Sequence, residues 1–327
     1  MRTSTFLILF LLFTRFSPIK AQYDFDAVER SRMAKARVKT QTEWVYDYVG
    51  GSPSAKGYRS KITKYDVRGN VSEIINYDKN GKSISMFKYQ YDTRNNRISY
   101  EQYGYDAEKP KLVYSQKIVF DNAGLKTREY GFDGSTPYNN TYTYDGGGRL
   151  AEIVYMTNNA VLEKRQFKYA GNKTEISVYN ASNALISRQE NIYNEQGLLM
   201  SEIKKEAQGN IMQSLNKQYN NLGDLLEEIK KRADDKLDYQ KVYQYDKSNR
   251  PVKEETTNQD GSKFVSREYQ YNNSGNLIME AWKKNERAME ASTSRYTYDA
   301  KGLYTEKDSY WATYKLNSLY KYIYEFF

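Results

Sequence analysis

The chain contains no cysteine and no histidine. Their absence excludes disulfides, thiol nucleophiles, imidazole acid–base catalysis and the usual zinc, copper and haem sites. It also excludes a lipid anchor on an N-terminal cysteine. No acidic loop has calcium-ligand spacing, so neither a metal nor any other cofactor is expected. Aliphatic residues are scarce as well: hydrophobic residues make up 39% and the mean hydropathy is −0.90, too little to fill a thick core. Much of the apolar content is aromatic, with 34 Tyr and 12 Phe. Tyrosine covers a half-buried sheet face while its hydroxyl stays wet, so thin layers are expected.

Long apolar runs are limited to one, "FLILFLLF" at Phe6–Phe13, preceded by Arg2 and followed by Ala21. Eight apolar residues are too few to span a bilayer, and the pattern reads as an export signal over residues 1–21. Its removal takes away Arg2, Arg15 and Lys20, lowering the net charge from +9 to +6. The remaining charge forms no stripe. Lys and Arg alternate with Asp and Glu through "MSEIKKEAQGN" and "LLEEIKKRADDK", a solvated-face pattern rather than a nucleic-acid footprint. The mature chain has no transmembrane span by this reading, and its place is the periplasm, cell surface or extracellular space.

What the sequence has in abundance is a repeat. "YDVRGNVSEIINYDKNGK", residues 65–82, shows Tyr-Asp-x-x-Gly twice, at Tyr65, Asp66 and Gly69 and again at Tyr77, Asp78 and Gly81. Aligned aromatics recur at Tyr65, Tyr91, Phe120, Tyr144, Tyr169, Tyr193, Tyr219, Tyr245, Tyr271 and Tyr298, 24 to 29 residues apart. A second turn signal halves most units, so the elementary period is one strand plus one turn. Segments such as "KSISMFKYQY" are free of proline and rich in Tyr, Val, Ile and Thr, which suits half-buried strands. "DLLEEIKKRADDK" passes locally as helix, but the repeat keeps its register on both sides and overrules that reading.

Turn chemistry accounts for the motif. In "YTYDGGGRLAEI", Asp145 accepts hydrogen bonds from its own turn and Gly148 takes the left-handed conformation that closes a type I turn with a bulge. Tyr144 then pairs across strands with Leu150. The same six-residue offset links Tyr65 with Val71, Tyr193 with Leu199, Tyr219 with Leu225 and Tyr271 with Leu277. Tyr298, Asp299 and Gly302 form another copy.

These copies, with "YQYNNSGNLIMEA" at 269–281 and "YTYDAKGLYTEK" at 296–307, resemble the YD repeat of the RHS family over roughly residues 58–327. The resemblance implies an exported strand–turn repeat protein associated with surface contact or toxin carriage. The Asp-Pro-containing core signature of large RHS proteins is missing, and so is a toxin-length segment beyond Tyr298, which points to a short stand-alone array.

The expected fold is therefore all-β: an antiparallel meander of about 20 short strands in tandem hairpins, coiled into a curled or spiral sheet. Residues 1–21 are the signal, 22–57 an N-terminal cap with a short helix and first strand, and 58–327 the array. The segment "DAVERSRMAKARVK" at 26–39 is expected to cap an exposed sheet edge. An outer-membrane barrel is set aside because Glu325 and Lys321 share parity with Phe327 and most strands carry charge on both faces.

The expected function is a non-catalytic exported scaffold or binding module for a cell-surface polysaccharide or another exported protein, with Trp44, Trp282 and Trp311 as candidates for stacking on a sugar. A carboxylate-only polysaccharide-cleaving enzyme is the alternative, needing two acids about 5–9 Å apart in a cleft. A third reading is an accessory partner of a separately encoded toxin.

Overall fold

The computed structural model describes residues 25–106 and 109–327. The export signal over residues 1–21 lies outside the described residues. A helix, Phe25–Ala36, leads into 23 strands that run from Val38 to Phe326. Every hairpin from Tyr58 onward is antiparallel to the next, and "LLEEIKKR" at Leu225–Arg232 is a strand despite its helical composition.

The local geometry repeats because one turn repeats. At Asp145–Arg149, the Asp145 N–H donates to the Arg149 carbonyl at 2.8 Å and the Gly148 N–H donates to the Asp145 carbonyl at 2.9 Å. The Asp145 carboxylate accepts from the N–H groups of Gly147 and Arg149, each at 2.9 Å. Gly148 has φ of +75°, a conformation that costs an L-residue about 1–2 kcal/mol. The bulge places Leu150 opposite Tyr144 and Glu152 opposite Thr143. Asn95, Asn183, Asp235 and Asn249 hold the same left-handed position in other turns, with φ between 59° and 70°.

The sheet is not an open curl or spiral. The first strand, Val38–Val49, pairs on one side with Tyr58–Tyr65 and on the other with the last strand, Leu316–Phe326. At that seam Gln41 faces Tyr324, Glu43 faces Tyr322 and Val45 faces Tyr320. Twenty-two strands thus close into an antiparallel barrel, while the two-residue strand Ser52–Pro53 pairs only with the first strand and stays outside the ring. The physical reason is that an open array would expose two rows of unpaired N–H and C=O groups. With an even number of staves the first and last strands run antiparallel, so each edge satisfies the other. Part of the segment expected to cap an edge supplies the closing stave instead.

The helix covers no edge. It lies against the turns at the rim that carries Gly69, Asn276 and Leu303, with Met33 fully buried against Val38, Tyr65 and Leu303. Arg32 donates to the Asn276 side chain at 3.0 Å. The helix therefore bridges turns on both sides of the seam.

The barrel is hollow. Strands at about 4.8 Å spacing and a 35–45° tilt give 22 staves a diameter of roughly 41–48 Å, too wide for side chains to fill. Among the described residues, the closest backbone approaches between strands are those of sheet neighbours. Buried apolar residues form small clusters on adjacent strands, such as Tyr142, Ile153, Phe167 and Ile176, rather than one continuous core.

Candidate functional site

Strand alternation divides the wall into two faces. In Leu237–Tyr245, the motif tyrosine Tyr245 shares a face with Tyr243, Lys241 and Tyr239, whereas Val242 and Gln244 on the other face are exposed. The tyrosine face is the more crowded one around the barrel and is the face the helix packs on, so it is the inner wall.

The motif tyrosines stitch this wall together. The phenols of Tyr144, Tyr169, Tyr219, Tyr245, Tyr271, Tyr298 and Tyr324 donate to the carbonyls of Lys126, Leu150, Leu199, Leu225, Pro251, Leu277 and Tyr304, at 2.7–3.0 Å. Each bond joins one repeat to the preceding one. Burial pushes the Tyr219, Tyr245 and Tyr298 hydroxyls up to about 12, so they remain donors at neutral pH.

Below the tyrosine rim runs a belt of charge whose sign alternates strand by strand. Glu228, Lys241, Glu254, Arg267 and Glu280 follow one another at intervals of 13 residues, one per strand, all on the inner wall. Lys217 lies 3.0 Å from Glu228, Lys241 lies 3.0 Å from Glu254 and Arg267 lies 2.9 Å from Glu280. Tyr239 donates to Glu228 at 2.6 Å and Ser266 to Glu254 at 2.8 Å. Burial would raise the Glu228 carboxyl, but the bonds from Tyr239 and Lys217 together outweigh it and hold the carboxyl below its ordinary range.

The belt continues through the seam. Burial pushes the Lys307 ammonium down, with Glu43 and Glu280 opposing and Lys61 adding to the shift. Glu43 is itself 2.9 Å from Lys61. On the opposite arc Glu129 is nearly enclosed, bonded by Lys126, by Gln116 at 3.0 Å and by Tyr142 at 3.2 Å. Along these strands the inner wall is thus polar, with charges of both signs and phenol rings, while across Tyr142, Ile153, Phe167 and Ile176 it is apolar. This chemistry binds hydroxyl and amide groups by exchange with water and offers ring faces for stacking.

The outer wall is charged as well. Glu190 is held between Lys205 at 2.7 Å and Lys173 at 2.9 Å, and these two hydrogen bonds depress its carboxyl. Lys117, Arg128, Arg188 and Lys253 also face outward. Each Lys or Arg turned toward hydrocarbon at the bilayer midplane costs about 2–4 kcal/mol.

The three tryptophans do not form one site. Trp282 and Trp311 meet edge to face on the inner wall, ring centroids 5.5 Å apart, at the rim opposite the helix. Trp44 lies on the outer wall, in a shallow hollow with Tyr46, Glu306, Lys321 and Ile323. The turn residues Tyr65, Asp66, Gly69, Tyr144, Asp145, Gly148, Leu150, Tyr298, Asp299 and Gly302 gather at the helix-bearing rim, where each Asp serves its own turn. Sequence reasoning missed the belt. Its signal is present as a glutamate nine residues after each of Tyr193, Tyr219, Tyr245 and Tyr271, but mixed charge reads as solvated surface when the face is unknown.

No family model matches the chain, and no curated protein matches it in sequence. Among solved structures it is similar to TcdB2-TccC3 lacking its hypervariable C-terminal region, at 14% identity and a TM-score of 0.32, covering 80% of this chain and 14% of that one. It is similar to a porin-like protein from Bacteroides uniformis at 12% identity and TM-score 0.31, covering 64% of this chain and 94% of that one. A porin-like protein from Bacteroides vulgatus gives 10% identity and TM-score 0.22, with coverage of 86% and 97%. With TM-scores this low, what those proteins do carries no weight for this chain.

Proposed function

We propose that this protein is an exported, non-catalytic barrel of YD-type repeats that holds a guest in its water-filled lumen. The observation that supports this reading most is the inner belt of alternating charge, a built polar wall where a filled barrel would carry aliphatic side chains. The belt acids Glu228, Glu254 and Glu280 are each held by a cation, which removes the unpaired, raised carboxyl that a glycosidase acid requires. Glu29, a carboxyl that burial does push up, lies under the helix against Arg32 rather than in the open lumen.

Cysteine labelling tests the lumen directly, since the natural chain has no cysteine. Lys241→Cys on the inner wall and Lys253→Cys on the outer wall are both expected to react with a small maleimide. Only the outer one should react with a polyethylene-glycol maleimide wider than the mouth. Equal reaction of both with the large reagent would refute a hollow, closed barrel in solution.

An outer-membrane-type barrel is the second reading, favoured by closure of an even number of antiparallel strands. Recovery of the protein in detergent extracts of membranes, with none released by osmotic shock, would establish it over the soluble form.

A further inference from the structure

We infer that the lumen admits an electroneutral, hydroxyl-rich chain, a neutral oligosaccharide, and turns away polyanions and polycations. The inference rests on the lumen being the binding surface. Across five consecutive strands the inner wall presents Glu228, Lys241, Glu254, Arg267 and Glu280, and every cation in that series has a glutamate partner within 3.0 Å. Neighbouring strands lie about 4.8 Å apart, so a guest touching one side chain also feels the next, of opposite sign.

An anionic guest that pairs with Lys241 must displace Glu254 and approach Glu228. The displaced carboxylate is left desolvated beside a second negative charge. A cationic guest meets the mirror-image problem at Arg267 and Lys217. A hydroxyl group escapes both, because it donates to a carboxylate and accepts from the neighbouring ammonium together, replacing a bridging water without separating the pair. Tyr239, Tyr243, Tyr269 and Tyr296, on the same wall, add ring faces against which the apolar face of a pyranose packs. Burial raises the Tyr239, Tyr243 and Tyr296 hydroxyls, keeping those rings neutral. At the rim away from the helix the Trp282–Trp311 pair extends the stacking surface to the mouth.

The test titrates the mature protein with short neutral oligomers of glucose, mannose and galactose, with heparin oligosaccharides and with oligolysine. Calorimetry reads affinity, and protection of Leu215→Cys, an inner-wall position opposite Lys230 and outside the charge series, from a small maleimide reads lumen occupancy. At least one neutral series is expected to bind about tenfold more tightly than either charged series. Lys241→Met, which frees Glu254, should improve oligolysine binding, and Glu254→Gln should improve heparin binding, each with an unchanged circular dichroism spectrum. Heparin or oligolysine binding the wild type as tightly as any neutral oligomer, while protecting the lumenal cysteine, would overturn the ligand class and leave the lumen reading standing. Failure of every neutral oligomer to bind overturns the inference. If no guest of any charge protects the cysteine, the lumen reading falls with it.

Discussion

Replacing Gly69 with alanine should cost far more than the same change at Gly148, although the two occupy equivalent turns. Their φ values are +79° and +75°, so the backbone penalty is shared, about 1–2 kcal/mol. The surroundings differ. A Cβ on Gly148 would meet nothing closer than Leu125 Cδ1 at 3.9 Å. On Gly69 it would lie 2.2 Å from the Arg30 carbonyl oxygen and 2.8 Å from the Ala34 nitrogen, both helix backbone atoms. The helix has to move away, and Met33, 0% exposed against Val38, Tyr65 and Leu303, loses its burial. Burying a side chain of that size is worth about 1.5–3 kcal/mol, so Gly69→Ala should cost about 2.5–5 kcal/mol in total. Urea unfolding followed by circular dichroism measures both variants. Trypsin cleavage at Arg30, Arg32 and Lys35 under native conditions reports undocking of the helix and should accelerate in Gly69→Ala alone. Equal unfolding midpoints and equal cleavage rates would refute the docking of the helix on this turn.

Tyr245→Phe removes one phenol-to-carbonyl stitch of 2.9 Å to Leu225 and should destabilise by about 0.5–1.5 kcal/mol, checked by the same unfolding assay. The turn acids predict an acid limb: backbone hydrogen bonds from Thr136 and Ser135 lower Asp133 from 3.8 to about 2, and backbone and arginine contacts lower Asp145 and Asp246 despite the desolvation that opposes them. A carboxyl depressed in the folded state stabilises it above the unfolded pKa and loses that contribution as pH falls through the folded value, here between about 4 and about 2. Asp133→Asn with Asp145→Asn and Asp246→Asn should lower the melting temperature at pH 7, where the ionised acids contribute, and flatten its fall across that window; Asn194 and Asn220 cap turns of the Asp145 and Asp246 kind without titrating, so the variant is expected to fold. A melting temperature that falls as steeply as in the wild type would count against this. Deleting residues 219–244 removes two staves and should yield a soluble, β-rich 20-strand barrel, whereas deleting 219–231 leaves an odd number, sets the first and last strands parallel and should give aggregate. Similar solubility of the two deletions would argue against the closed seam.

The Asp-turn and the Tyr–Leu offset were legible because both are local: a carboxylate two to four residues from the N–H groups it accepts, and a bulge that always consumes one residue. From these the strand pairing of Tyr144 with Leu150 and Tyr219 with Leu225 follows without tertiary information. The belt was only half legible. Glu228, Lys241 and Glu254 are visible at their 13-residue spacing, but which face they line depends on which side of the sheet is concave.

All-β character and strand direction were settled by the sequence alone, since each turn carries its own instructions. Closure was decided only in three dimensions. The seam joins Val38–Val49 to Leu316–Phe326, segments that share no turn and stand at opposite ends of the described chain. No residue near either strand encodes the other. Their meeting is the accumulated result of twist and curvature over the intervening hairpins, completed by an even strand count that lets two unpaired edges satisfy each other's hydrogen bonds.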